Sequence, residues 1–239
     1  MQGRSGGASC QTNLCLGLLS AVFCLLASPV SSACHLALVL ALDVSTSVDA
    51  REYALQRDGL AAALSSPTVR SALFAGNDRI AITVFEWSGR HQQSEVLSWT
   101  LLEDQAALIR AVTTIRTANR SFDKFQTGMG RALLYAQDLI QRGPECIRRT
   151  IDISGDGVTN DGMDPPTAYR WNDFDGITVN GLAIRTTDHR VPIYYLREVI
   201  RGPDAFVEIA EGYEDFENAM RRKLIREIGV ALLGEATKF

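Results

Sequence analysis

The sequence predicts an α/β fold: a doubly wound, mostly parallel central sheet with one antiparallel edge strand and helices on both faces. Three observations carry that expectation. Apolar runs of strand length alternate with segments of helical periodicity along most of the chain. The first run, Leu36 to Leu42 (LALVLAL), is continuously apolar, as expected of a strand buried on both faces. The polar residues cluster where the apolar runs stop, and in open α/β sheets that end is where ligands bind.

Taken in order, the Leu36–Leu42 strand ends at Asp43, and Asp49 can cap a helix from about Ala50 to Leu64, with Tyr53, Leu60 and Leu64 inward. Arg79 to Trp87 (RIAITVFEW) is a second strand. A third, around Ser94 to Trp99, follows a turn at Gly89; the gap is too short for a helical crossover, so this strand runs antiparallel to the second. Glu103 to Thr117 carries Ala106, Ile109, Val112 and Ile115 at helical spacing. Another helix opens near Thr127 and runs to Ile140, stopped by Gly143-Pro144. Arg148 to Ser154 (RRTIDIS) is a strand, Pro165-Pro166 opens a short helix, and strands follow near Ile177–Ile184 and Ala205–Ile209. Phe216, Met220, Leu224 and Ile228 mark a closing helix.

The chain has 239 residues, which suits one α/β domain with a sizeable core. Its net charge of −4 comes with no long Lys/Arg run, which argues against nucleic acid and anionic membranes as partners. The first 33 residues stand apart: Arg4 is their only charge, Leu14 to Ala27 is apolar, and Ser31-Ser32-Ala33 supplies small residues. This is the pattern of a secretory signal over 1–33, ahead of a domain over 34–239, and it places the protein in the periplasm or outside the cell. The apolar stretch of 14 residues falls short of the about 20 that a membrane-spanning helix needs.

Cys10, Cys15 and Cys24 would leave with the signal, so the mature chain keeps only Cys34 and Cys146. With three scattered histidines they cannot make a zinc site of the usual spacing, and a disulfide is the natural state after export. Cys34 precedes Asp43 by nine residues and Cys146 precedes Asp156 by ten. If the two strands are parallel neighbours with both aspartates at one end, the cysteines meet at the other. A lipid-modified Cys34 is the competing fate; Ser31, three residues before it, argues against that.

Asp43-Val44-Ser45-Thr46-Ser47 leaves the first strand and Asp156-Gly157 leaves the Arg148–Ser154 strand. If these strands flank the reversal of strand order, Asp43 and Asp156 share a crevice, and Thr127 can reach it. Two carboxylates and three hydroxyls make an oxygen-only set suited to a hard cation such as Mg²⁺. With only two carboxylates, the ion keeps positive charge and open positions that an Asp or Glu of a partner can fill. No nucleophile with a base beside it is evident, so recognition is expected rather than turnover.

These residues resemble the metal-ion-dependent adhesion site of von Willebrand factor type A domains, and most closely an uncharacterised bacterial branch. Asp43, Ser45 and Ser47 match the DxSxS loop, Thr127 the threonine before a helix start, and Asp156 the Asp-Gly after the fourth strand. The resemblance covers roughly Cys34 to the C-terminus. It implies that the hydroxyls ligate Mg²⁺ (or Mn²⁺ or Ca²⁺) directly, that the aspartates often act through water, and that a protein partner supplies the acidic group. Three departures stand out: Thr46 for the usual Gly, Met129 for a second Thr, and Gly155 for the Thr usual before Asp-Gly.

Taken singly, Asp43 and Ser47 could merely end a strand and start a helix. Asp152-x-Ser154-x-Asp156-Gly157 mimics half of an EF-hand loop, but its twelfth position is Met163. The alternative function is an enzyme. Gly155 to Asp161 resembles the last acidic motif of haloacid-dehalogenase-like Mg²⁺-dependent phosphatases, with Asp43 as nucleophile, Thr83 as the hydroxyl and Lys124 as the cation. That mechanism needs a general acid where this chain has Ser45, and losing one forfeits about 10²–10⁴ in rate.

Overall fold

The computed structural model describes residues 34–76 and 79–236, with side chains up to residue 229. The expected signal and its three cysteines lie outside the described residues.

Ten residues from Cys34 to Asp43 form β1, which is buried along nearly its whole length as its apolar run requires. A capping box follows: the Asp49 side chain accepts from the Glu52 amide and the Glu52 side chain accepts from the Asp49 amide, starting α1 at Ala50–Ser65. Ser66 then caps α2 (Pro67–Leu73), with proline at its permitted first position. The elements β2 (Arg79–Trp87), β3 (Gln93–Leu101) and α3 (Gln105–Arg116) come next. They are followed by α4 (Met129–Arg142), β4 (Cys146–Gly155), α5 (Pro165–Trp171) and β5 (Ile177–Ile184). A four-residue α6 (Val191–Tyr194) runs into a π-helical turn at Tyr195–Val199, and β6 (Val207–Ala210) and α7 (Phe216–Ala236) complete the chain.

The six strands lie in the order β3-β2-β1-β4-β5-β6. Only β3 is antiparallel to its neighbour, as the short β2–β3 gap demands. From β1 the chain moves outward to β2 and β3, then returns to the other side of β1 for β4. The order therefore reverses between β1 and β4, and the crevice opens beyond Asp43 and Gly155.

Alternation along β1 feeds two cores. Leu36, Leu38, Leu40 and Leu42 pack under α1, α3 and α7, while Ala37, Val39 and Ala41 pack with Ile151 and Ile153 under α4 and the π-helical turn. At the far end of the sheet Cys34 pairs in register with Cys146, and the two form a disulfide with Cα atoms 4.5 Å apart.

Three local expectations need correction. On α3 the buried stripe is Ala107, Leu108, Ala111, Val112 and Ile115, whereas Ala106 is exposed and Ile109 is 57% exposed; the i, i+3, i+4 set that includes Leu108 and Ala111 faces the sheet in their place. Thr127 precedes α4 rather than opening it, with Gly128 as the capping residue. The α2, α6 and π-helical segments, too short for a periodic signal, were not anticipated.

Candidate metal centre

Asp43, the last residue of β1, is fully buried, and its Oδ1 accepts from the Ser45 amide at 2.8 Å. That local turn swings the chain out of the sheet and aims Ser45 and Ser47 at the crevice. The turn is held from several sides. The Val44 amide bonds to the Trp87 carbonyl and the Thr46 amide to the Phe125 carbonyl, while Gln56 Nε2 donates to the Asp43 carbonyl at 2.9 Å. Arg120, which sequence reading missed, sends one guanidinium nitrogen to three loop carbonyls: Val44 at 3.0 Å, Ser45 at 3.0 Å and Val48 at 2.8 Å. Its only sequence signature is membership of an Asn-Arg-Ser tripeptide, which points to glycosylation instead.

Thr127 arrives from another direction and is pinned by the loop after β4. Its amide donates to Asn160 Oδ1 at 2.8 Å, and its carbonyl accepts from the Asn160 and Asp161 amides. Asp161 is anchored in turn by Arg90, whose backbone amide and side chain both donate to it.

All five predicted residues converge. Thr127 Oγ1 lies 3.3 Å from Ser45 Oγ, Ser45 Oγ 3.1 Å from Ser47 Oγ, and Ser47 Oγ 2.7 Å from Asp156 Oδ1. Asp43 backs this row through the Ser45 amide. Ser45, Thr127 and Asp156 are buried and Ser47 is exposed, so the row opens outward on one side. It opens into a cleft of about 420 Å³ lined by Ser47, Glu52, Thr127, Asp156, Asn160 and Arg190, among others.

Electrostatics in this crevice are unbalanced. Burial, and then the neighbouring Asp156, pushes the Asp43 carboxyl up to about 7. Burial raises Asp156 as well, with Ser47 and the nearby Tyr213 hydroxyl moderating the effect. Asp43 Oδ2 is buried and has no hydrogen-bond partner. Among the described residues no lysine or arginine forms an ion pair with either carboxylate. Among the described residues no trio of His, Cys, Asp or Glu is disposed to hold a metal. The donor set therefore fits a hard divalent cation better than zinc-type coordination by nitrogen and sulfur.

Two other readings of these segments part from the geometry. Thr83 sits mid-strand and donates to the Leu97 carbonyl at 2.7 Å, well short of the strand end where a phosphatase hydroxyl would act. Asp152 lies 3.2 Å from Lys223 in the core, so it does not join Asp156 in a calcium loop.

No curated protein matches the chain. Among solved structures, proximal thread matrix protein 1 from the mussel byssus, in a form described with a zinc-occupied MIDAS motif, is 14% identical over 82% of this chain and 46% of its own, with a TM-score of 0.60. A von Willebrand factor type A structure from Catenulispora acidiphila is 12% identical over 84% of this chain and 43% of its own, with a TM-score of 0.55. The pilus adhesin SpaC of Lactobacillus rhamnosus GG is 13% identical over 83% and 31%, with a TM-score of 0.56. The chain thus spans less than half of each of these structures, and the likeness establishes a von Willebrand factor type A-like fold. A family model described as "Protein of unknown function (DUF1194)" matches residues 33–231, and the chain belongs to that family.

Proposed function

We propose that the protein is an exported module that binds a divalent cation through Asp43, Ser45, Ser47, Thr127 and Asp156, and through it an acidic group of a protein partner. The spacing of the oxygens carries this reading. Neighbouring ligands around octahedral Mg²⁺, each about 2.1 Å from the ion, stand about 3.0 Å apart. The row from Thr127 through Ser45 and Ser47 to Asp156 has steps of 3.3, 3.1 and 2.7 Å. Ordinary hydroxyl contacts also span such distances, but they do not explain two adjacent buried carboxyls that, among the described residues, no lysine or arginine pairs with.

The protein's part is to hold the hydroxyls in place, with Asp43 fixing the Ser45–Ser47 turn from behind. The cation, when bound, supplies positive charge and coordination positions facing the cleft. An Asp or Glu side chain entering beside Ser47 meets that charge. Mg²⁺ is the expected occupant, with Mn²⁺ and Ca²⁺ as substitutes. Export rests on the 1–33 pattern and is supported by the Cys34–Cys146 disulfide. Among the described residues no helix is long and apolar enough to cross a membrane.

Calorimetric titration of residues 34–239 with Mg²⁺, Mn²⁺, Ca²⁺ and Zn²⁺ should show one site, lost in Ser47→Ala and Asp156→Ala. Wild-type protein that takes up none of the four ions ends this reading. Capture of a partner from the producing organism's extract should require the cation and fail with chelator. Intact mass of the exported protein should begin at Cys34; a retained 1–33 segment or a lipid on Cys34 would overturn the processing part.

A further inference from the structure

Behind the proposed cation site stands Tyr195, fully buried, with a hydroxyl that has no hydrogen-bond partner. Its place is made by two glycines on adjacent strands. A Cβ on Gly155 would stand 2.9 Å from the Tyr195 hydroxyl and 2.7 Å from Asp43 Oδ2, so both polar atoms lie against one bare Cα. A Cβ on Gly181 would meet the Tyr195 ring at 2.5 Å. The ring is presented by a π-helical turn that begins at Tyr195 and closes with the Ile200 amide on the Tyr195 carbonyl at 3.1 Å. Its neighbour Tyr194 holds the other side of the site, exchanging hydrogen bonds with Thr159 in the loop after Asp156.

We infer that Tyr195 is a positioning residue for the cation site: its phenol O–H serves Asp43 Oδ2 through one water and fixes the orientation of that carboxyl while Oδ1 takes the Ser45 amide. This rests on the cation-binding reading and extends it to a residue outside the matched motif. The two atoms are a donor and an acceptor, both buried, both unpartnered and both pressed against the same Cα. Leaving either unsatisfied costs about 1–3 kcal/mol. Gly155, the departure from the Thr usual at that position, is what admits the phenol. A side chain there would occupy the space that the hydroxyl and the carboxylate share.

The test is Tyr195→Phe, which keeps the ring and removes only the oxygen. Mn²⁺ affinity by calorimetry should fall about 10-fold or more, as for other groups that orient metal ligands. A tyrosine ultraviolet difference spectrum on Mn²⁺ addition should appear in wild type and be lost in the variant, which a ring serving only as packing would not produce. Unchanged affinity in Tyr195→Phe overturns the inference and leaves the cation site standing. Absence of Mn²⁺ binding by wild type overturns both.

Discussion

Strand β4 and the turn that leaves it hold two buried aspartates four positions apart, Asp152 and Asp156, and their surroundings differ in the charge beside them. Asp152 has a resident cation. Lys223 of α7, itself fully buried, places Nζ 3.2 Å from Asp152 and 2.8 Å from Glu227, over the ring of Phe206 at 4.6 Å. Asn180 completes the cluster by donating to Glu227 at 2.9 Å. Asp156 and its companion Asp43 have no such cation. The Arg120 guanidinium offsets the burial of Asp43 only slightly, its own hydrogen bonds going to backbone carbonyls. Burying a carboxylate without compensation is costly, so a fold retains such a pair where something removable supplies the charge. The closed cluster carries its own cation even though burial still raises the Asp152 carboxyl to about 8, whereas the open pair has only carboxyls and hydroxyls around it.

The contrast can be broken most severely from the sealed side. Lys223→Met leaves Asp152 and Glu227 buried without their cation and should cost about 3–5 kcal/mol in urea unfolding, with Asp152→Asn added to it recovering part. A loss below about 1 kcal/mol would mean that the cluster does not carry buried charge.

On the open side the effect depends on pH. The folded Asp43 carboxyl is raised to about 7 from an ordinary 3.8, so its protonated form favours the folded state. Its contribution is fully present below the unfolded value and is lost as pH rises through 7. Stability of the chelated protein should therefore fall between about pH 4 and pH 7, by at most on the order of 4 kcal/mol. Asp43→Asn should flatten that slope, and saturating Mg²⁺ should reverse it in wild type only. A slope of equal size in Asp43→Asn would assign the effect to another group.

Smaller changes sharpen the picture of the loop. Arg120→Gln strips the donor from three loop carbonyls and should cost about 1–3 kcal/mol, along with several-fold weaker cation binding. An unaltered affinity would show that the loop holds its shape without the clamp. Thr46 is exposed and contributes no side-chain contact to the oxygen row, so Thr46→Gly should leave the cation dissociation constant within about a factor of two.

What could be read in advance follows from how local each signal is. Strand ends announce themselves because an apolar run stops at a polar residue, which is how Asp43 and Asp156 were placed at one crevice. Ser45 and Ser47 follow from alternation in a short loop. Thr127 needed the order of elements, and its helix was set two residues too early because Gly128, not Thr127, caps it. Arg120, Tyr195 and Tyr213 act across distances of tens of residues, and no spacing rule reaches them. Lys223 left a partial trace: Lys223 and Glu227 are four apart and adjoin the apolar stripe of Met220, Leu224 and Ile228. Charged residues so placed on a helix signal a buried pair only once the facing Asp152 is known.

The Cys34–Cys146 bond has a mechanical consequence. Sulfurs 112 residues apart in sequence join β1 and β4 at the end of the sheet opposite the cleft. Tension applied between position 34 and the loop at the cleft therefore enters two strands together. To slide β1 past β4 under that load, a covalent bond must break as well as a ladder of hydrogen bonds. Pulling single molecules between position 34 and the Ser45–Ser47 loop should show a lower rupture force after reduction, and equal forces would mean that the strain runs through another path.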